Sequence, residues 1–206
     1  MEKLIPQLVE RLRAPLPGPA AQYRMAHAVR GKYQLSADDA RVACVLIALY
    51  PKAAEWHLVL IQRVASNPHD RHGGQISFPG GRYEPSDGSL ANGALREAQE
   101  EVGIQPDDVE VLGRLTELFI PVSNFMVHPF IGTLDYTPDF VPQPSEVQEI
   151  IEVPLSLLRD PASRQRTEIA LSERLTLQNV PYFNVGGRVV WGATAMMLNE
   201  FLEVLG

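Results

Sequence analysis

FPGGRYEPSDGSLANGALREAQEEVGI, residues Phe78 to Ile104, decides how the rest of the chain is read. It runs from a double glycine, Gly80-Gly81, through a short polar segment into a helix-forming run closed by Gly103. Ala94, Leu95 and Ala98 give that helix an apolar side, and Gly103 stands where a helix stop is expected. Glu97 and Glu101 are four residues apart and Glu97 and Glu100 three apart, so a helix turns all three carboxylates to one side. Clustered anions of this kind call for a cation. Carboxylate oxygens are hard ligands suited to Mg2+ or Mn2+, and Mg2+ bound by few carboxylates commonly shares its shell with substrate phosphates. Cleavage of a phosphate ester or anhydride is the chemistry implied. A solvated, salt-bridged helix face is the plain alternative for a Glu-rich turn. The glycines before it, which allow a tight turn and close backbone approach to a ligand, and the apolar stripe beside it weigh against that alternative.

The stretch resembles the Nudix box, G-x5-E-x7-R-E-U-x-E-E-x-G-U with U aliphatic. Gly81 opens it, and Arg96-Glu97-Ala98-Gln99-Glu100-Glu101-Val102-Gly103-Ile104 closes it. One position departs: the acidic residue six after Gly81 is Asp87, and eight residues separate it from Arg96. The resemblance implies an α/β fold, an α/β/α sandwich with a mixed central sheet against which the box helix lies. It further implies metal binding by Glu97, Glu100 and Glu101, with a carbonyl of Gly80 or Gly81 completing the shell of a Mg2+ or Mn2+ cofactor. Arg96, set among carboxylates, is expected to orient them by bidentate contact rather than to touch substrate. The general base in such enzymes is either a box glutamate or a distant acidic residue on a loop. Glu146 is the candidate for the distant position, and its alternative, shared with Glu149 and Glu152, is an ordinary surface carboxylate.

Upstream, LVLIQRVASNPHDRHGGQISFPGG resembles the additional pattern of the coenzyme A pyrophosphatase branch, carried here by Arg63, His72, Gly74, Gln75, Phe78 and Pro79. Glu84-Pro85-Ser86-Asp87 matches the extended box of the same branch, so the extra residue before Arg96 is itself a branch trait. The spacing between Arg63 and His72 is about two residues longer than in that branch, and the second basic position falls on His69 or Arg71. Arg63, Arg71, His72 and Gln75 are the substrate-binding candidates, basic groups able to hold phosphates by charge-assisted hydrogen bonds. Surface charge on a strand end and loop is their alternative. The implied reaction is hydrolysis of the coenzyme A diphosphate to 3',5'-ADP and 4'-phosphopantetheine. Hydrolysis of ADP-ribose, a dinucleoside polyphosphate or an oxidised nucleotide is the second reading, and a nucleotide-sensing module without catalysis the third. The intact glutamates disfavour the third.

The chain has 206 residues, enough for one well-buried domain and too few for two of full size. The expected division is an N-terminal helical extension over 1–35, packed on the same domain, and the catalytic domain over 36–206. A formal charge of -7 and an isoelectric point near 5.2 exclude a general nucleic-acid binder and point to a small, metal-carried partner, a nucleoside diphosphate-linked substrate. Cys44 has no internal disulfide partner and sits in the apolar run VACVLIAL, where a buried inert thiol is expected. No apolar run approaches the roughly 18 residues of a membrane span, and the mixed-charge start MEKLIPQLVERLRAPLPG does not read as a secretion signal, so a cytoplasmic setting is expected.

Leu4, Ile5, Leu8, Val9 and Leu12 at helical spacing predict a helix over 2–13, broken by APLPGPA. Strands are expected at Arg41–Tyr50, Trp56–Arg63, Ile76–Phe78, Val109–Ile120 and Val127–Asp135, and another within SEVQEIIEVPL. A short helix over 154–159, a hairpin over 175–190 around Gly186-Gly187 and a final helix over 193–205 complete the reading. Tyr182, Phe183 and Trp191 are aromatics able to stack on adenine, though core or dimer contact is their commoner role. The amphipathic end helices leave a monomer and a homodimer both open.

Overall fold

The structure, a computed structural model, describes residues 3–27, 39–65, 73–172 and 175–206. Its centre is the apolar run of β1 (Arg41–Lys52). Along β1, Cys44, Leu46, Ala48 and Tyr50 enter one core cluster, while Ala43, Ile47 and Leu49 enter the other. An unbroken apolar run is what a strand covered on both faces requires. β2 (Glu55–Arg63) follows through Ala53 and Ala54, both at positive φ, and divides the same way, Val59 and Ile61 to one side and Leu58 and Leu60 to the other.

β1 and β2 pair only over Leu49–Lys52 and Glu55–Leu58. Beyond that they diverge, and the segment carrying β3 (Ile76–Ser77) and β4 (Gly80–Arg82) fills the gap. β3 pairs with β2 at Ile61 and Gln62, and β4 pairs with β1 at Ala43 to Val45. β7 (Phe125–Thr133) runs parallel to β1 on its other edge, and β5 (Glu110–Arg114) and β6 (Leu118–Ile120) pair antiparallel with β7. β8 (Val147–Pro154) closes the far edge on β2. The eight strands form one mixed sheet.

Helix α3 (Leu90–Val102) covers one face. Ala94, Ala98 and Val102, one turn apart in succession, lie fully buried against Cys44, Leu46 and Val59. Ser89 caps its start by accepting from Asn92 N–H, and Gly103 at φ 77° ends it. The opposite face is covered by α5 (Gly192–Leu205), on which α1 (Leu4–Arg13) and the short α2 (Gly18–Gln22) pack. The Glu200 carboxylate on α5 is fully buried and accepts from Gly18 N–H, Gln22 Nε2 and Thr116 N–H at 3.1, 2.8 and 3.3 Å. After α4 (Leu155–Arg159), β9 (Arg164–Ser172), β10 (Leu175–Val185) and β11 (Arg188–Trp191) make a separate antiparallel sheet in the order β11-β10-β9.

The α/β/α arrangement is the one expected, with local differences. The strand expected over Val109–Ile120 is interrupted: Leu115 N–H still reaches Pro129 O of β7, but Thr116 N–H goes to the Glu200 carboxylate, and pairing with β7 resumes at Leu118 one residue out of register. Gly80-Gly81 is extended strand rather than a tight turn. A second short helix starts at Gly18 within the proline-rich stretch, with Pro19 in its first turn, a position where the missing N–H costs nothing. β9 was absent from the expected elements. Phe183 is fully buried and Tyr182 nearly so, which places them in the core rather than on an adenine site.

Candidate active site

The wedge of β3 and β4 sets the double glycine against the buried side of α3. A Cβ on Gly80 would lie 2.3 Å from Cys44 O and 2.6 Å from Val45 Cα, and φ of +156° there also favours glycine. A Cβ on Gly81 would lie 2.4 Å from Glu97 Oε2 and 2.6 Å from Oε1. Both glycines are dictated by close approach, one to the β1 backbone and one to a carboxylate. Gly80 N–H donates to Glu101 Oε2 at 2.8 Å, so the strand and the helix are joined at the carboxylate itself.

The three box glutamates differ in exposure: the side chain of Glu101 is 1% exposed, that of Glu97 14% and that of Glu100 57%. Burial, with the charges of Glu97 and Glu146 added, pushes the Glu101 carboxyl up to about 7, against the opposing pull of Gly80 N–H and Arg63. Burial also raises the Glu97 carboxyl, with Glu100 and Glu146 adding to it and Arg96 opposing. The glutamates therefore sit in a field that disfavours further negative charge. That is the condition under which hard oxygen donors gain most from a divalent cation. The donor set and the Cβ-free face of Gly81 fit Mg2+ or Mn2+. Among the described residues no three Asp, Glu, His or Cys side chains converge as a closed ligand group. Here Glu101 is paired with Arg63 at 3.2 Å and Glu97 with Arg96 at 2.9 Å.

Arg96 is the hub of the outer part of the site. Its Nε donates to Asp87 Oδ1 at 2.7 Å and its terminal nitrogens to Asp87 Oδ2, Glu97, Glu100 and Arg82 O. Asp87 first and Glu97 after it hold its guanidinium more firmly protonated than usual, while Arg96 holds the Asp87 carboxyl below its ordinary range. Asp87 also accepts from Glu84 N–H in a capping box. The loop bearing the extra residue thus delivers the shorter Asp side chain to Arg96.

Arg63, at the end of β2, points to the α3 side of the sheet with Glu101. Its main chain exchanges hydrogen bonds with Gln75 O and Gly74 N–H, so Gln75 lies across from it. Glu146 is exposed on the loop before β8, where Gln143 N–H bonds Glu101 O and Val64 N–H bonds Glu146 O, drawing the loop to the mouth of the site. Glu149 and Glu152 have other partners: Glu149 pairs with Arg188, and Glu152 accepts from Tyr50 and Lys52. The expected substrate residues Arg71 and His72, with His69, lie outside the described residues. A cavity of about 460 Å³ near Ile5, Trp56, Asp108 and Tyr136 is at the other end of β1 and shares no wall with the box.

A mixed sheet with a carboxylate helix facing a glycine strand is the layout of a hydrolase acting on phosphoanhydrides. The chain belongs to the Nudix family: the NUDIX domain model matches residues 40–173. Among its relatives, the uncharacterised Nudix hydrolase NudL of Photorhabdus laumondii is 34% identical over 166 residues, 81% of this chain and 86% of that protein. A peroxisomal coenzyme A diphosphatase of Mus musculus is 35% identical over 130 residues, 63% of this chain and 54% of that protein. In fold, a MutT/nudix family protein from Enterococcus faecalis superposes with a TM-score of 0.52 over 90% of this chain and 77% of that one, at 15% identity. The chain is thus a Nudix pyrophosphohydrolase, of a family whose members generally depend on divalent metals. No helix among the described residues is long and apolar enough to cross a membrane.

Proposed function

We propose that this enzyme hydrolyses the diphosphate of coenzyme A or a derivative, releasing 3',5'-ADP and a 4'-phosphopantetheine product. The observation that carries the substrate class is the likeness to the mouse coenzyme A diphosphatase, together with Arg63 and Gln75 placed side by side at the mouth of the box. Glu97 and Glu101 are the principal metal ligands in this reading, with exposed Glu100 and a carbonyl of Gly80 or Gly81 as further donors. A bound Mg2+ or Mn2+ would neutralise diphosphate charge and lower the pKa of the attacking water.

The chain's own groups do the rest. Arg96 orients Glu97 and Glu100 and keeps Asp87 locked to the loop. Arg63, now on Glu101, is within the same opening and offers a guanidinium to a diphosphate oxygen. Glu146, whose charge adds to the raising of the Glu97 and Glu101 carboxyls, is the base that accepts the proton of the attacking water in this reading. Attack at one phosphorus breaks the bridging P–O bond and leaves two phosphomonoesters.

The test incubates the purified chain with coenzyme A, ADP-ribose and nucleoside polyphosphates, with Mg2+ or Mn2+, beside Glu97→Gln. Release of 3',5'-ADP from coenzyme A, lost in E97Q, is the expected result. Turnover of another diphosphate with coenzyme A untouched would overturn the substrate and keep the reaction class.

A further inference from the structure

The three-stranded sheet ends in an open edge. Among the described residues β9 is hydrogen-bonded on one side only, to β10. An unpaired edge is a template for another strand, and proteins normally blunt it with Pro, charged side chains, a bulge or a cover. β9, Arg-Gln-Arg-Thr-Glu-Ile-Ala-Leu-Ser, has no Pro, and its Arg164, Arg166 and Glu168 admit only a strand whose charges complement them. Its pairing to β10 runs without interruption from Arg164 to Thr167; beyond that the register shifts twice, with an extra β10 residue between Leu177 and Val180 and an extra β9 residue at Leu171. The exposed leucines Leu171 and Leu175, 49% and 53% exposed, lie at the far end of the same ribbon.

The charges on this edge select a partner. Two identical strands paired antiparallel about a two-fold axis normal to the sheet must have the axis pass at a residue, because a residue and its copy face the same side. Arg164, Arg166 and Glu168 share one face. With the axis at Arg166 or at Glu168, like charges meet directly, which destabilises the pair. With the axis at Thr167, Arg166 falls opposite Glu168 of the partner subunit and the reverse pair forms by symmetry. Thr167 meets its own copy, a favourable cross-strand pair.

We propose that β9 pairs antiparallel with β9 of a second copy about Thr167, joining the two three-stranded sheets into one six-stranded sheet and making the enzyme a homodimer. Arg166 already donates through Nη1 to Asn179 O of β10 at 3.0 Å, so recognition rests on the backbone edge and on its remaining guanidinium donors reaching Glu168 of the partner subunit in two reciprocal pairs. It does not use the box, so the dimer stands or falls independently of the substrate reading.

The experiment measures molar mass by light scattering on a sizing column over micromolar concentrations, with folding checked by circular dichroism. Wild type is expected at about twice 22.8 kDa. Glu168→Arg, a change at an exposed position, is expected to be monomeric and folded, and the exchange R166E/E168R to be dimeric again. A disulfide probe separates the register from mere association. Cys44 is buried and is the one native cysteine, so Thr167→Cys should cross-link under mild oxidation while Ala170→Cys, whose copy is offset by six residues, should not. A wild type of 22.8 kDa throughout overturns the proposal, and would leave the edge to an extended peptide from another protein. A dimer that persists in E168R, a charge-exchanged variant that stays monomeric, or cross-linking at Ala170→Cys in preference to Thr167→Cys also overturns it.

Discussion

Gly80→Ala and Gly81→Ala add the same methyl group to neighbouring residues, and the structure predicts opposite failures. At Gly81 the obstacle is the Glu97 carboxylate at 2.4 Å, the far end of a flexible side chain. Restoring ordinary contact, 3.4 Å or more, moves that carboxylate by about 1 Å and leaves the strand in place. A shift of that size in a positioned group costs on the order of 100-fold in turnover, while the stability change stays below about 1 kcal/mol, as for a change that a side chain absorbs. At Gly80 the obstacles are Cys44 O at 2.3 Å and Val45 Cα at 2.6 Å, both main chain. There β4 must leave β1, straining the pairing of Val45 with Gly80 and the bond from Leu46 N–H to Pro79 O. Overpacking against a rigid backbone costs about 1–3 kcal/mol, and a non-glycine residue at this φ adds on the order of 1–3 kcal/mol. At 2–4 °C per kcal/mol for a chain of this size, Gly80→Ala should lower the melting temperature by roughly 5–15 °C and Gly81→Ala by only about 2 °C. Thermal melts and kcat/KM on whichever diphosphate is turned over decide it. Wild-type kcat/KM in Gly81→Ala would refute the placement of Glu97 against this strand, and equal destabilisation by both changes would refute the distinction between side-chain and main-chain obstacles.

Asp87→Asn should destabilise by about 1–3 kcal/mol at neutral pH, the range for losing a hydrogen bond to a charged group. Because Arg96 lowers the Asp87 carboxyl in the folded state, that contribution is fully present above the ordinary value of 3.8 and is lost as pH falls through the lowered one, so urea melts of wild type and variant should converge only below pH 3.8. Glu200→Leu strands three donors, from Gly18, Gln22 and Thr116, and should cost roughly 3 kcal/mol. Because none of these groups belongs to the box, kcat/KM of the folded fraction should be unchanged, and Glu200→Gln, which keeps an acceptor, should recover part of the lost stability in the same melts. Removing divalent metal with a chelator should abolish turnover, with Mg2+ or Mn2+ restoring it. Activity that survives exhaustive chelation would refute the role given to Glu97 and Glu101.

What could be read from the sequence was whatever is encoded locally. The two-sided apolar run of β1 announces a strand covered by helices on both faces, and the spacing of Ala94, Ala98 and Val102 against Glu97 and Glu101 gives α3 a buried side and a carboxylate side. What escaped depends on partners distant in the chain. β9 is polar or exposed at most of its positions, so no alternation marks it, and it exists because β10 supplies its ladder. The run 109–120 looks like one strand but breaks after Leu115, because Thr116 N–H has Glu200 to bond, 84 residues on. The double glycine suggests both a tight turn and a close backbone approach, and the sequence alone does not choose between them. Its use here is the absence of a side chain, and only the wedge between β1 and β2 reveals what that absence makes room for. The same logic sorts the acidic residues after the box. Glu146, Glu149 and Glu152 are indistinguishable as letters, yet Arg188 and Lys52 engage the second and third, while the first is exposed on the loop tied to Glu101 O and Val64 N–H. Which of three like carboxylates is left on the loop beside the box helix is decided by main-chain hydrogen bonds that carry no residue-type signal.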